Sequence, residues 1–112
     1  MAAVNPWLIL SVAIALEIAG TVCLKLADGF SHIVPSVLTF LFYGLAFVSL
    51  ILAIKRVDIS VAYAIWSGVG TAAIAVIGMT FLGEPFSWHR VFWVAVIVVG
   101  VVGLQLGGPA RA

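Results

Sequence analysis

Charged side chains are scarce in this sequence. Its 112 residues include five Lys and Arg and four Asp and Glu, or 8% of the chain, against 65% hydrophobic residues. Soluble domains carry about 25% charged residues, and a globule of this size could not bury so much apolar surface. The scarcity of charge therefore excludes a soluble globular domain and indicates an integral membrane protein.

Several chemical signatures are also missing. The single cysteine, Cys23, excludes an internal disulfide, and a net charge of +1 gives nucleic acid no basic surface to bind. His32 and His89 are isolated, so no metal site is expected. No nucleophile–base pair, phosphate loop or cofactor motif occurs, so we expect neither an enzyme nor a cofactor. The start lacks the basic region of a signal peptide, so the first apolar segment should remain as a transmembrane helix.

Long apolar segments fill most of the chain. A spanning helix needs about 20 apolar residues, and four segments meet or approach that length, approximately 4–24, 33–54, 59–82 and 88–106. Asn5-Pro6 is a helix-start signal that opens the first of them. The connections are short, which predicts an up-down-up-down bundle, since loops and open strands cannot face lipid. We expect an all-α membrane protein with one four-helix transmembrane domain over residues 1–112.

The basic charges on the two membrane faces are nearly balanced. With four crossings, one face carries Lys55, Arg56 and Arg111, and the other carries Lys25 and Arg90. The positive-inside rule acts on such differences, and three against two is almost no bias. Either the chain inserts in both orientations, or one or two residues suffice to fix a single orientation.

One acidic residue interrupts the first apolar segment. Glu17 is the only charged residue between Trp7 and Leu24, and a carboxylate at a helix centre costs about 3 kcal/mol on insertion scales. Such a residue is a functional-site hypothesis by default. Because ionisation in an apolar site is unfavourable, we expect a proton and a cationic ligand to compete for Glu17. The alternative is a protonated Glu17 that is hydrogen-bonded between helices.

Mostly small residues share the helical face of Glu17. The three- and four-residue spacing of a helix places Ala13, Ile14, Gly20 and Thr21 on this face. Small side chains admit another helix or leave room for a ligand beside the carboxylate. We therefore expect these four residues to line the site.

Aromatic residues in the third segment form a second cluster. Tyr63 and Trp66 are three residues apart, hence on one face, and lie too deep for a simple interfacial belt. Aromatic faces attract desolvated cations by about 2 kcal/mol. Tyr43 in the second segment is a third candidate, and Ser67 is expected to line the same site. Packing is the alternative, but an intramembrane carboxylate favours an aromatic box for a cation.

Glycines mark two further positions in the last two segments. Gly68 and Gly70 permit a helix bend, so we expect a hinge beside the site, with close helix packing as the alternative. Gly100 and Gly103 lie in a segment that has no charge after Arg90. They are expected to form the contact between subunits.

Together these residues resemble the small multidrug resistance family of proton-coupled exporters. The match covers nearly the whole chain, including Asn5-Pro6 and the run from Glu17 through Thr21 to Lys25. Its most specific stretch is 62–70, which reads Ala-Tyr-Ala-Ile-Trp-Ser-Gly-Val-Gly. The resemblance implies an antiparallel, dual-topology homodimer in the bacterial inner (cytoplasmic) membrane.

The resemblance also implies roles for individual residues. Glu17 of each subunit would bind either protons or a cationic substrate, Tyr63 and Trp66 would line the site, and Tyr43 would shape it. The fourth helix, with Gly100, would carry the dimer contact. Trp93 departs from the family pattern, because the prototype has another contact glycine there. The packing of the dimer is therefore expected to differ in detail.

The position three residues after the glutamate separates two branches of the family. Guanidinium exporters typically carry Trp there, whereas Gly20 matches the multidrug branch. The resemblance thus implies a proton antiporter for hydrophobic and quaternary ammonium cations. One alternative is a guanidinium or polyamine exporter of the same family, alone or as half of a heterodimer. The other is a small non-transporting membrane subunit, which predicts no titration of Glu17 when ligand is added.

Overall fold

The computed structural model describes residues 4–106, and these form four helices. They are α1, Pro6–Ala27; α2, Ile33–Ala53; α3, Ile59–Phe81; and α4, Trp88–Leu106. Each is long and apolar enough to cross a membrane, which confirms an all-helical, multi-pass membrane protein. The chain divides into two compact units, Met1–Val57 and Asp58–Ala112. A single four-helix domain stays a prediction, and Arg111 lies outside the described residues.

The first helix begins as predicted but ends later. Asn5 is extended, and its side-chain oxygen accepts a hydrogen bond from Trp7 N at 2.8 Å, which confirms the N-cap followed by Pro6. The helix ends at Ala27 rather than at residue 24. Lys25 stabilises this last turn because a basic side chain interacts favourably with the carbonyl end of a helix. The predicted loop therefore contributes its first three residues to α1.

A left-handed turn joins α1 to α2. Three consecutive residues have positive φ angles, of 48°, 67° and 67°: Asp28, Gly29 and Phe30. This region costs a non-glycine residue about 1–2 kcal/mol. Ser31 N donates to Ala27 O at 2.9 Å, so the turn caps the carbonyl end of α1. The Phe30 ring stacks on Phe40 of α2, with centroids 5.9 Å apart, and this contact fastens the turn to the second helix.

Small side chains allow α1 and α2 to pack closely as an antiparallel pair. Two alanines in each helix are fully buried: Ala13 and Ala27 in α1, and Ala46 and Ala53 in α2. Small residues let helix backbones approach without side chains in between. At the outer ends of the pair, Arg56 Nη1 donates to Val4 O at 3.1 Å. The pair therefore has a fixed register, which positions the polar residues described below.

In the second unit, α3 packs on α4 at a glycine. A Cβ at Gly68 would collide with the Val101 side chain and would lie 3.7 Å from Ile97 Cγ2. The helix runs without interruption through Gly68 and Gly70. Gly68 is therefore a point of close helix–helix approach, the packing role that the sequence left open beside the hinge.

A polar cluster lies at the connection from α3 to α4. Glu84 N donates to Gly78 O at 2.9 Å, and a Cβ at Gly78 would collide with the Glu84 carboxylate. Arg90 Nη1 lies 3.2 Å from Glu84 Oε1. The two side chains are 39% and 41% exposed, so this ion pair contributes at most about 1 kcal/mol.

The outer surface of α4 is apolar and uncovered. None of its residues, all of which belong to the described part of the chain, is buried. Phe92, Trp93 and Val99 are each more than half exposed. Such a surface requires lipid or another helix around it.

Candidate functional site

The carboxylate of Glu17 is held by a residue of its own helix. Glu17 lies near the middle of α1 and is half-buried. Thr21 Oγ1 donates a hydrogen bond to Glu17 Oε2 at 2.8 Å. The four-residue spacing places both side chains on one face, so the sequence contained the signal for this contact. Thr21 is thus a direct partner of the carboxylate.

Tyr43 connects α2 to this pair. Its hydroxyl oxygen lies 2.8 Å from Thr21 Oγ1. A threonine hydroxyl has one proton. When Glu17 is ionised, Thr21 donates that proton to it, and Tyr43 then donates to Thr21. The result is a continuous chain of hydrogen bonds from Tyr43 through Thr21 to Glu17. Successive hydrogen bonds polarise one another, so both O–H dipoles stabilise negative charge on the carboxylate.

Gly20 makes room for the tyrosine ring. A Cβ at Gly20 would lie 2.5 Å from Tyr43 Cδ1 and 2.6 Å from Tyr43 Cε1, closer than real Cβ atoms come to a ring. It would also lie 3.3 Å from Phe42 Cβ. The space predicted for a ligand or a second helix is therefore filled, at Gly20, by Tyr43 of the same chain. This position brings the Tyr43 hydroxyl to Thr21.

Two apolar residues lie one turn before the carboxylate. Ala13 is fully buried and Ile14 is 7% exposed. By helical spacing both share the face of Glu17, so this face is apolar on one side of the carboxylate and hydroxyl-bearing on the other, at Thr21. Their role as lining residues of a ligand site stays a prediction.

The aromatic pair of α3 lies in the second unit. The rings of Tyr63 and Trp66 meet edge to face, with centroids 6.3 Å apart and planes at 88°, which confirms that they share one helix face. Tyr63 is 63% exposed, Ser67 is exposed and Trp66 is half-buried. An exposed ring of this kind presents a surface that attracts cations. That this pair and Glu17 act in one binding site stays a prediction.

The four glycines assigned to movement and assembly differ in their surroundings. Gly68 and Gly70 are buried in an unbroken helix, whereas Gly100 and Gly103 are exposed, with open space where a Cβ would lie. The hinge and the dimer contact both stay predictions. Among the described residues, no group of three or more His, Cys, Asp or Glu could hold a metal ion.

Comparison with known proteins gives a consistent set of relatives. A family model described as Small Multidrug Resistance protein matches residues 5–97. Multidrug resistance protein Mmr of Mycobacterium tuberculosis is 45% identical over 103 residues, which cover 91% of this chain and 96% of that protein. The nicotine metabolites export pump subunit NepA of Paenarthrobacter nicotinovorans is 43% identical over 104 residues, 93% of this chain and 90% of the relative.

A further relative is named for resistance to one class of compounds. The quaternary ammonium compound-resistance protein QacF of Klebsiella aerogenes is 39% identical over 100 residues. These cover 89% of this chain and 91% of that protein. The similarity therefore extends over almost the whole length of both chains.

Proposed function

Because the chain belongs to the small multidrug resistance family, we propose that it is a proton-coupled antiporter that exports hydrophobic and quaternary ammonium cations. Two relatives support this substrate class, since one is named a multidrug resistance protein and another a quaternary ammonium compound-resistance protein. We place the chain in the bacterial inner membrane, which it crosses four times. Four apolar helices support this placement.

The observation that carries the proposal is the setting of Glu17. The carboxylate lies in the middle of a helix able to span a membrane, and Thr21 donates a hydrogen bond to it. An unpaired charge within hydrocarbon is costly, so this carboxylate requires either a proton or a cation. The proton and the cation cannot occupy this carboxylate together, so binding of one displaces the other. Exchange of this kind couples proton entry to cation exit.

The transport cycle follows from this competition. An ionised Glu17 binds the cation on the cytoplasmic side, and the aromatic faces of Tyr63 and Trp66 add cation–π attraction. The loaded site then opens to the other side, where protons displace the cation. The protonated carrier returns and releases its protons inside. The cation needs at least one ionised Glu17, since without it a charge would cross hydrocarbon unpaired.

We propose an antiparallel homodimer as the transporting unit. The nearly balanced basic charges of the loops support insertion in both orientations. The uncovered surface of α4 supports a helix–helix contact there. Gly100 and Gly103 lie exposed on this helix, where small residues favour close association in a membrane. Each dimer would hold two Glu17 carboxylates around one cation.

The assignment to the multidrug branch of the family rests on Gly20. Guanidinium exporters of the family typically carry Trp at this position, and here the Tyr43 ring lies against the glycine instead. The second candidate is a guanidinium or polyamine exporter of the same family, alone or as half of a heterodimer. The 43% identical relative NepA, which is named a subunit of an export pump, supports only the heterodimeric assembly and not this substrate class. A non-transporting membrane subunit is the candidate of another class.

Transport in proteoliposomes tests the proposal. Vesicles with an acidic interior should accumulate tetraphenylphosphonium, and a protonophore should abolish the accumulation. Glu17→Gln should abolish it too, whereas Glu84→Gln, a matched change at the α3–α4 connection, should retain it. Accumulation of guanidinium instead of tetraphenylphosphonium would favour the second candidate. Uphill transport by the Glu17→Gln variant would overturn the mechanism.

A further inference from the structure

The hydroxyl of Thr21 lies between two oxygen atoms and has one proton for both. Thr21 Oγ1 is 2.8 Å from Glu17 Oε2 and 2.8 Å from the Tyr43 hydroxyl oxygen. Both hydrogen bonds are partly buried, which limits competition from water. A hydroxyl donates one hydrogen bond and accepts others. At any moment, Thr21 therefore donates a hydrogen bond to one of these two oxygen atoms and accepts one from the other.

The direction of the chain depends on the charge of Glu17. An ionised carboxylate only accepts hydrogen bonds, so Thr21 donates to Glu17 and Tyr43 donates to Thr21. A proton on Glu17 Oε2 turns that oxygen into a donor to Thr21. The Thr21 proton then turns to the Tyr43 oxygen, and the O–H bond of Tyr43 rotates away from Thr21. Apart from the O–H bond that forms when Glu17 takes up the proton, only hydrogen bonds change in this reversal.

We propose that Thr21 is a positioning residue that makes the Tyr43 hydroxyl respond to the occupant of Glu17. The proposal rests on the antiport function, in which Glu17 holds either a proton or a cation. A bound cation leaves the carboxylate ionised, so Tyr43 keeps donating to Thr21. A proton bound on Oε2, the oxygen that contacts Thr21, reverses the chain and makes Tyr43 the acceptor. We call the hydrogen-bond chain Tyr43–Thr21–Glu17 the relay. It distinguishes a proton from a cation, although both neutralise the same carboxylate.

The position of Tyr43 makes this response specific. Its ring lies against Gly20, where a Cβ would come within 2.5 Å of Cδ1, so the contact with α1 restrains the ring beside Thr21. Reversal of the hydrogen bonds therefore changes the orientation of the hydroxyl proton rather than the place of the ring. Tyr43 belongs to α2, so the state of a carboxylate on α1 reaches a second helix through this relay.

Nuclear magnetic resonance of the full-length protein in lipid bilayers tests the relay. The chain has only two tyrosines, so ¹³C at tyrosine Cζ gives two signals, which Tyr43→Phe assigns. A ¹³C label at glutamate Cδ also gives two signals, of Glu17 and Glu84, and Glu84→Gln assigns the Glu17 signal. In the wild type, the Tyr43 signal should shift with the same pH midpoint as the Glu17 signal. Saturating tetraphenylphosphonium at high pH should leave the Tyr43 signal in its high-pH position.

Variants of Thr21 separate the relay from a structural role. Thr21→Val keeps the shape but removes the hydroxyl, so Glu17 should still titrate while the Tyr43 response is lost. Thr21→Ser restores a hydroxyl and should restore the response, and Thr21→Ala should repeat the loss with a smaller side chain. A Tyr43 signal that follows Glu17 in the Val and Ala variants would overturn the relay.

Failure of the relay and failure of the antiport function give different signals. If Glu17 titrates in the wild type and Tyr43 does not respond, only the relay is wrong. If the Glu17 signal neither titrates nor responds to tetraphenylphosphonium, the antiport function is wrong, and the relay is wrong with it.

Discussion

The ring of Tyr43 lies directly against the backbone of Gly20. A Cβ at Gly20 would be 2.5 Å from Tyr43 Cδ1, so this contact between α1 and α2 tolerates no side chain. The same contact places the Tyr43 hydroxyl 2.8 Å from Thr21 Oγ1. A single glycine therefore joins the packing of two helices to the hydrogen bonding of Glu17.

The smallest substitution at Gly20 should break this arrangement. Gly20→Ala forces Tyr43 away from α1, and overpacking of this kind costs about 1–3 kcal/mol. We expect a lower free energy of unfolding in detergent together with a loss of the Tyr43–Thr21 hydrogen bond. Weaker tetraphenylphosphonium binding should accompany it, because Tyr43 is a proposed site residue.

Gly44 provides the matched control for this substitution. It lies in α2 beside Tyr43, and a Cβ there would meet no atom within 4 Å. Gly44→Ala should therefore leave both stability and binding unchanged or slightly improved, since alanine favours a helix more than glycine. Equal effects of the two substitutions would show that the Tyr43 contact is not the cause.

A second substitution that makes room for a side chain at Gly68 can decide whether this glycine serves helix packing or bending. Gly68→Ala places a Cβ where the Val101 side chain lies, so it should destabilise the protein and reduce transport. If Gly68 serves packing, Val101→Ala should rescue the Gly68→Ala variant, because the smaller side chain reopens the contact. Thermal unfolding and tetraphenylphosphonium transport should recover together.

A hinge at Gly68 predicts a different result for the same pair. The added Val101→Ala change would then restore stability but not transport, because a hinge requires the backbone freedom of glycine itself. The comparison of the single and double variants therefore separates the two roles that the sequence left open.

The proposed dimer contact on α4 can be tested with a bulky side chain. Gly100 is exposed and has open space around its Cβ position within the chain, so Gly100→Leu should not disturb the fold. It should weaken the dimer, since small residues allow helices to approach closely in membranes. Cross-linking and light scattering in detergent would measure the loss of dimer.

Ala95 supplies the control on the same helix. Ala95 is exposed, and the five-residue separation from Gly100 directs the two side chains to different parts of the helix surface. Ala95→Leu should leave the dimer intact. A dimer that survives Gly100→Leu unchanged would contradict the proposed contact.

Much of the fold follows from local sequence signals. The four helices follow from apolar length, the start of α1 from Asn5-Pro6, and the shared face of Tyr63 and Trp66 from their spacing. The Glu17–Thr21 hydrogen bond could also be predicted, because it joins residues four apart in one helix. These features depend only on neighbours within a helix.

The contacts between helices were not predictable in the same way. The Thr21–Tyr43 hydrogen bond depends on the register of α2 against α1. That register is fixed by the missing side chain of Gly20 and by a left-handed turn in which Asp28 and Phe30 have positive φ. Aspartate adopts positive φ more readily than most residues, but nothing in the residue type of Phe30 signals such a turn. A glycine pattern also cannot separate packing from bending at Gly68, since both require a small residue.

The most direct test of the central claim is ligand-induced proton release from the purified protein in detergent. Adding tetraphenylphosphonium to weakly buffered wild-type protein should release protons into solution, because the cation replaces them at Glu17. Glu17→Gln should release none, and Glu84→Gln should release as many as the wild type. Proton release by the Glu17→Gln variant equal to that of the wild type would contradict the account.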